Sequence, residues 1–275
     1  MKQTPPKHHP LIGVVTVAIL LAMIPTDKAV ADSTAKTTSS ESGSTESLEG
    51  ALKKLKLPGV HINLKEHCVD VDGEICLDEG PLELLACTKN SKEHESIIAV
   101  GAMPRHIHTA LLLMGSTPGN PAMQKPLSKQ NGTWVHVPPR GAPVDVFIVF
   151  KNKQGIVVER PVCDLIKAYS GKKKLRTKQK DSQFPTNTFL FAGSFLRNHG
   201  NGARKYLADM SGHVISIATF GDELLCLPRV YSHSTNSLEW QIDATHLPEV
   251  GTKVKLRLRP KVAPAPDADK VNEKQ

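Results

Sequence analysis

Aromatic residues are scarce in this chain, at 4% of 275 residues. So few rings do not build the stacking platform on which single-stranded nucleic acid or sugars lie. Complete catalytic signatures are also missing. There is no G-x-S-x-G, no P-loop and no G-x-G-x-x-G. "HESII" at 94–98 begins like a zinc-protease helix, but Ile98 stands where the second histidine ligand belongs. The five cysteines, Cys68, Cys76, Cys87, Cys163 and Cys226, include no C-x-x-C, so the clustered thiolates of an iron–sulfur or zinc-ribbon site are not offered. No metal and no cofactor are expected.

The apolar run Leu11–Ile24 is 14 residues long, short of the ~17–25 that span a bilayer. Lys2, Lys7, His8 and His9 precede it, Pro25 breaks it, and Ala29, Val30 and Ala31 form an A-x-A site before Asp32. That order describes a secretory signal peptide over 1–31, cleaved near Ala31, and a periplasmic or secreted product. The formal charge is +8 and the leader carries +2 (Lys2, Lys7 and Lys28 against Asp27), so the mature chain holds 8 − 2 = +6. A moderate positive charge favours an acidic partner and also aids solubility.

Residues 32–47 contain ten Ser or Thr in sixteen and no large apolar residue, which reads as a disordered linker. The end, 261–275, is a polar tail with prolines. The folding part is 48–260, with no internal repeat.

A short amphipathic helix is expected over 47–57, capped by Ser47. "GVHINL", "HCVDVDG" and "ESIIAVGA" read as strands. From Pro104, the spacing of Ile107, Ala110, Leu111 and Met114 predicts a helix that Gly115 ends. "VDVFIVFKN" and "GIVVERPV" flank "KNKQG" as a hairpin. "TFLFAGSFL", "RKYLAD", "HVISIATF", "SLEWQID" and "KVKLRLR" follow as strands, the last with Val254, Leu256 and Leu258 on one face. The expected fold is α+β, predominantly antiparallel β, with at least one helix packed on the sheet in a single domain.

Cys76 and Cys87 bracket a Gly80-Pro81 turn. A turn over Gly80–Glu83 suits proline at its first central position. It makes "EICL" and "LELLACT" a hairpin in which Cys76 faces Cys87, as a cross-strand disulfide requires. Two buried free thiols satisfy the same sequence.

Lys92, Glu93, His94, Glu95 and Ser96 form the densest polar cluster. His94 between two carboxylates suits a general base, a ligand contact or an ordinary solvated turn. His106 and His108 lie about 200° apart on a helix, so they do not act as a joint metal pair; one of them can still face a pocket. Six basic residues in 171–180 suit phosphate or anionic lipid, or a solvated loop. No base-reading motif accompanies them, so sequence-specific nucleic acid binding is not expected. Membrane contact is expected only through that loop or an uncleaved leader. "YSHSTNS" (231–237), with His233, is a polar loop.

"DGEICLDEGPLELLACTKNSKEHESIIAV", "PRHIHTALLLMGSTPGNP", "TFLFAGSF", "YLADMSGHVISIATF" and "LPEVGTKVKLRL" together resemble the YdjY-like domain of exported bacterial proteins, over roughly 59–260. The resemblance implies one exported domain and assigns no catalytic role. Matching positions are Cys76, Glu79, Gly80, Leu82, Glu83, Cys87, Lys92, Glu93, His94, Glu95 and Ser96, with His108 in the helix block. Three readings follow. The first is a non-enzymatic binding or accessory module for a small ligand or periplasmic protein, with a pocket near His94, Glu95, Ser96 and His108. The second is an enzyme with Cys87 as nucleophile and His94 as base. The third is a thiol-redox or metal-handling protein.

Overall fold

The computed structural model describes residues 50, 55–127, 134–169, 183–198, 200, 202–234 and 237–261. The expected leader, linker and basic stretch 171–180 lie outside the described residues. So do the tail beyond Lys261 and most of the expected helix at 47–57.

Ten strands build the main sheet: β1 (Val60–Asn63), β2 (Cys68–Ile75), β3 (Leu84–Thr88), β4 (Ser96–Val100), β5 (Pro143–Lys151), β6 (Val157–Pro161), β7 (Thr188–Phe191), β8 (His213–Ser216), β9 (Leu225–Cys226) and β10 (Lys253–Pro260). Eight of them run β2, β10, β5, β7, β9, β8, β3, β4, and β4 pairs back onto β2 to close a barrel. β1 takes the free half of β2, and β6 that of β5. The pairs β3–β4 and β8–β9 are parallel and the rest antiparallel.

The expected α+β domain is therefore corrected to a closed, mostly antiparallel β-barrel. Among the described residues one helix exceeds five residues: α1 (Pro104–Leu113), followed much later by the single turn α2 (Leu207–Ser211). Alternation along a strand fixes which face is buried. It is the same in an open sheet and in a barrel, so it does not reveal that the ends of the sheet meet.

The barrel interior is filled rather than hollow. Leu256 stands between Val71 and Ile148, and Leu258 between Val69 and Val146, all six fully buried, with Val144 and Phe189 paired beside them. The closing seam needs a residue without a side chain: a Cβ on Gly73, opposite Val100, would lie 2.9 Å from Ile98 Cγ2.

The helix expected from Ile107, Ala110 and Leu111 is α1. Pro104 opens it, those residues are buried, and Gly115 follows with φ +78°. The "KNKQG" hairpin forms as expected, with Lys151 opposite Val157. "RKYLAD" is not one strand. Lys205–Tyr206 pairs briefly with Leu196–Arg197 and the chain then turns into α2.

The hairpin expected around Gly80-Pro81 does not form either. Leu82 N–H donates to Trp240 O, Ile242 N–H donates to Gly80 O, and Pro81 bridges Gln241. The would-be turn is tied to another segment. β4 occupies the space between the two arms: Ile75 and Ala86 both pair with Ile98, from opposite sides.

Candidate functional site

β3 and β4 run parallel with only seven residues between them, so 89–95 folds back against the sheet. Asn90 reverses the chain with φ +62°. The Glu93 carboxylate accepts the N–H groups of Asn90 and Ser91, the latter at 2.9 Å. Ser91 Oγ donates to Thr88 O at 2.6 Å. Gly212 (φ +81°) lies under this loop, where a Cβ would sit 2.3 Å from Ser91 Oγ and 2.7 Å from Thr88 Oγ1.

The loop encloses a small cluster of Leu84, Cys87 and Ala99, with Cys76 and Phe220 against it. Cys76 and Cys87 thus meet despite the intervening strand, and both are free thiols. The expected cross-strand disulfide is absent, and the direct register behind it is replaced by contact past β4. Cys76 Sγ also lies 3.2 Å from Ser96 O.

The hydrogen bond from Cys76, together with the Ser96 hydroxyl and the Lys92 N–H, holds Cys87 below its ordinary thiol value, although burial acts the other way. Cys76 is pushed up by that same pairing and by burial.

Directly opposite Cys87 on β8 stands His213. Opposed residues of an antiparallel pair project to one face, with Cβ atoms ~4.5–5.5 Å apart. The side chain of His213 is 7% exposed. Its Nδ1–H donates to Asp222 Oδ1 at 2.6 Å, its ring stacks on Phe220 at 4.2 Å, and its Nε2 is buried without a partner. Burial favours the neutral Asp222, but the His213 hydrogen bond and charge hold the carboxyl below its ordinary value. The donor bond to Asp222 leaves Nε2 as a lone-pair acceptor.

Of the expected ligand residues, Lys92 pairs with Glu95 (2.6 Å), and Glu95 with Glu83, whose pKa burial and the neighbouring carboxylate raise. Glu93 organises its own loop. His94 is 73% exposed and reaches only Glu95, at 3.7 Å. The histidine opposite Cys87 in the strand register, beside a bulge in β8, is His213, not His94. His213 is 126 positions away in sequence, and its signal was a polar residue opening the strand "HVIS", buried at every position.

His108 lies elsewhere. It contacts Phe191 and Tyr206, neither of which belongs to the Lys92–Ser96 cluster. Tyr206 Oη donates to Gly193 O at 2.9 Å, so at 2.8 Å it accepts from His108 Nδ1–H. Burial lowers the pKa of His108 and raises that of Tyr206. Both line an open cavity of about 790 Å³ between α1 and residues 193–196 and 204–210, with Met103, Phe195 and Met210 as apolar wall and Arg204 and Lys205 as basic groups. Arg105 also lines it and is paired with Asp209 at 3.4 Å.

Among the described residues no three His, Cys, Asp or Glu side chains converge as metal ligands, and no helix is long and apolar enough to cross a membrane.

No curated protein and no solved structure matches the chain. The family described as YdjY domain matches residues 60–259, from the start of β1 to within one residue of the end of β10. The chain belongs to the YdjY domain family.

Proposed function

We propose that this protein is an exported binding module that takes a small anionic amphiphile into the cavity between α1 and residues 193–196 and 204–210. The carrying observation is the lining of that cavity. Met103, Phe195 and Met210 offer apolar surface, and Arg204 and Lys205 stand beside them with no carboxylate within ion-pair distance among the described residues. A volume of about 790 Å³ lies within the range of small-molecule sites, which combine mostly apolar walls with a few placed polar groups. Export rests on the leader-like order of residues 1–31.

Fluorescence of 8-anilinonaphthalene-1-sulfonate tests the reading. The probe brightens on binding, octanoate displaces it, and octylamine of equal chain length does not. The double variant Arg204→Glu, Lys205→Glu loses at least tenfold in affinity for the probe. Equal displacement by octanoate and octylamine sinks the anionic preference, and an unchanged affinity in the double variant sinks the site.

A further inference from the structure

We propose that Cys76 and Cys87 form a dithiol that exchanges electrons with disulfide-bonded substrates, with His213 as the proton acceptor for Cys87. The site shares no residue with the α1 cavity. Three independent observations carry it. The two thiols touch across an edge of β4, with Cys76 partly exposed and Cys87 fully buried behind it. His213 is the cross-strand partner of Cys87 and has a buried, unpartnered Nε2. Asp222 fixes the tautomer that leaves this nitrogen free to take a proton. Other charged groups close by are Glu93 beside Cys76, and the Glu83–Glu95–Lys92 set beyond it.

The outer sulfur meets the substrate. At rest the shared proton sits on Cys76; its transfer across the thiol pair to Cys87 makes Cys76 the thiolate, which attacks one sulfur of RS–SR′. That S–S bond breaks, R′S⁻ leaves and takes a proton from water, and Cys76 is bonded to RS. His213 Nε2 then takes the Cys87 proton, and the Cys87 thiolate attacks the Cys76 sulfur. RS⁻ leaves, collects the proton from His213, and a Cys76–Cys87 disulfide remains. Two electrons pass from the thiol pair to the substrate disulfide, and two substrate thiols are released. The reverse sequence oxidises a substrate dithiol. A buried partner behind an exposed sulfur favours exchange over attack on an acyl group, because Cys87 reaches no substrate except through Cys76.

The full chain is incubated with oxidised glutathione, quenched with acid, alkylated and mapped by mass spectrometry. The proposal expects a linked Cys76–Cys87 peptide and two glutathione thiols per chain. Cys87→Ser keeps glutathione on Cys76. Cys76→Ser leaves Cys87 unmodified in the folded chain. His213→Gln accumulates the Cys76–glutathione adduct and links at least tenfold more slowly at pH 7, a deficit that narrows as hydroxide replaces the imidazole at pH 9. A wild-type chain in which Cys76 stays unreacted, or keeps glutathione without passing it on, overturns the proposal. That measurement needs no variant, so a misfolded substitution does not shield it. An unchanged linking rate and pH profile in folded His213→Gln removes His213 from the step.

Discussion

His213 and Asp222 are joined by a 2.6 Å hydrogen bond on the outer face of the barrel, and the His213 side chain is only 7% exposed. Replacing Asp222 by Asn keeps the shape and removes the charge. A hydrogen bond to a charged group contributes ~1.5–3 kcal/mol, so Asp222→Asn is expected to lower stability at pH 7 by about 1–3 kcal/mol. The pH dependence has a definite sign. The folded-state pKa of Asp222 lies below the unfolded value of 3.8, so its contribution is fully present above pH 3.8 and disappears as pH falls through the folded value. Melting curves of wild type and variant at pH 7, 5, 4 and 3 check this. The gap between them narrows only below about pH 4; a gap that closes already by pH 6 contradicts the assignment.

Arg257 and Asp70 face each other across β10 and β2. The guanidinium donates Nε–H at 2.7 Å and Nη2–H at 2.8 Å to the two carboxylate oxygens, and Nη1–H at 2.8 Å to Glu159. The side chains are 14% and 9% exposed. Removing one partner of so buried a pair strands the other, at about 3–5 kcal/mol. Arg257→Met should lower the urea midpoint accordingly, and Arg257→Met, Asp70→Leu should recover more than half of the loss. A double variant as unstable as the single one argues that the guanidinium matters through Glu159 instead.

Local elements were legible in the sequence and closure was not. Pro104 with Ile107, Ala110 and Leu111 marks α1, and Asn152 to Gly155 marks the β5–β6 hairpin, because both rest on contacts a few residues apart. The seam between β2 and β4 leaves only Gly73 as a trace, and an isolated glycine in a strand has several meanings. The Gly80-Pro81 turn was misread because local turn chemistry competes with a long-range partner, and Trp240–Ile242 wins. Cys76 and Cys87 were found together for a register the molecule does not use. His108 was singled out, but its partner Tyr206 lies 98 positions away. His213 and Asp222 went unnoticed: nine positions apart, they follow no motif, and only the barrel sets one of them beside Cys87.

Gly212 packs directly beneath Ser91 and Thr88, at the base of the loop over Cys87. Its φ of +81° suits glycine, and an added Cβ would collide with Ser91 and Thr88 at once. Gly212→Ala is expected to cost about 1–3 kcal/mol through strain and overpacking. Its sharper signature is local. With the 89–95 loop lifted, Cys87 should alkylate with iodoacetamide at least tenfold faster, while Cys226, buried in the barrel wall, keeps its rate. Equal acceleration at both cysteines would mean global loosening rather than an opened loop.

The cavity carries its own pH response through His108. Burial sets its folded-state pKa below the unfolded 6.5. As pH falls the unfolded chain therefore takes up the proton first, so stability declines from about pH 6.5 and levels off below the folded value. An anion bound near the ring favours the charged imidazole and raises its pKa. By linkage, an alkyl anion should bind more tightly at pH 5.5 than at pH 7.5, with net proton uptake on binding. Octanesulfonate, fully ionised across that range, is the ligand for this comparison, so the change reports the protein. Tyr206→Phe removes the acceptor for His108 Nδ1–H and the donor to Gly193 O. The cost should be about 1–3 kcal/mol, with the ring still buried and still reluctant to charge. Calorimetric titration in two buffers of different ionisation heat measures the proton directly. Uptake that persists in Tyr206→Phe and vanishes in His108→Gln places the proton on the imidazole, and uptake unchanged in His108→Gln assigns it elsewhere.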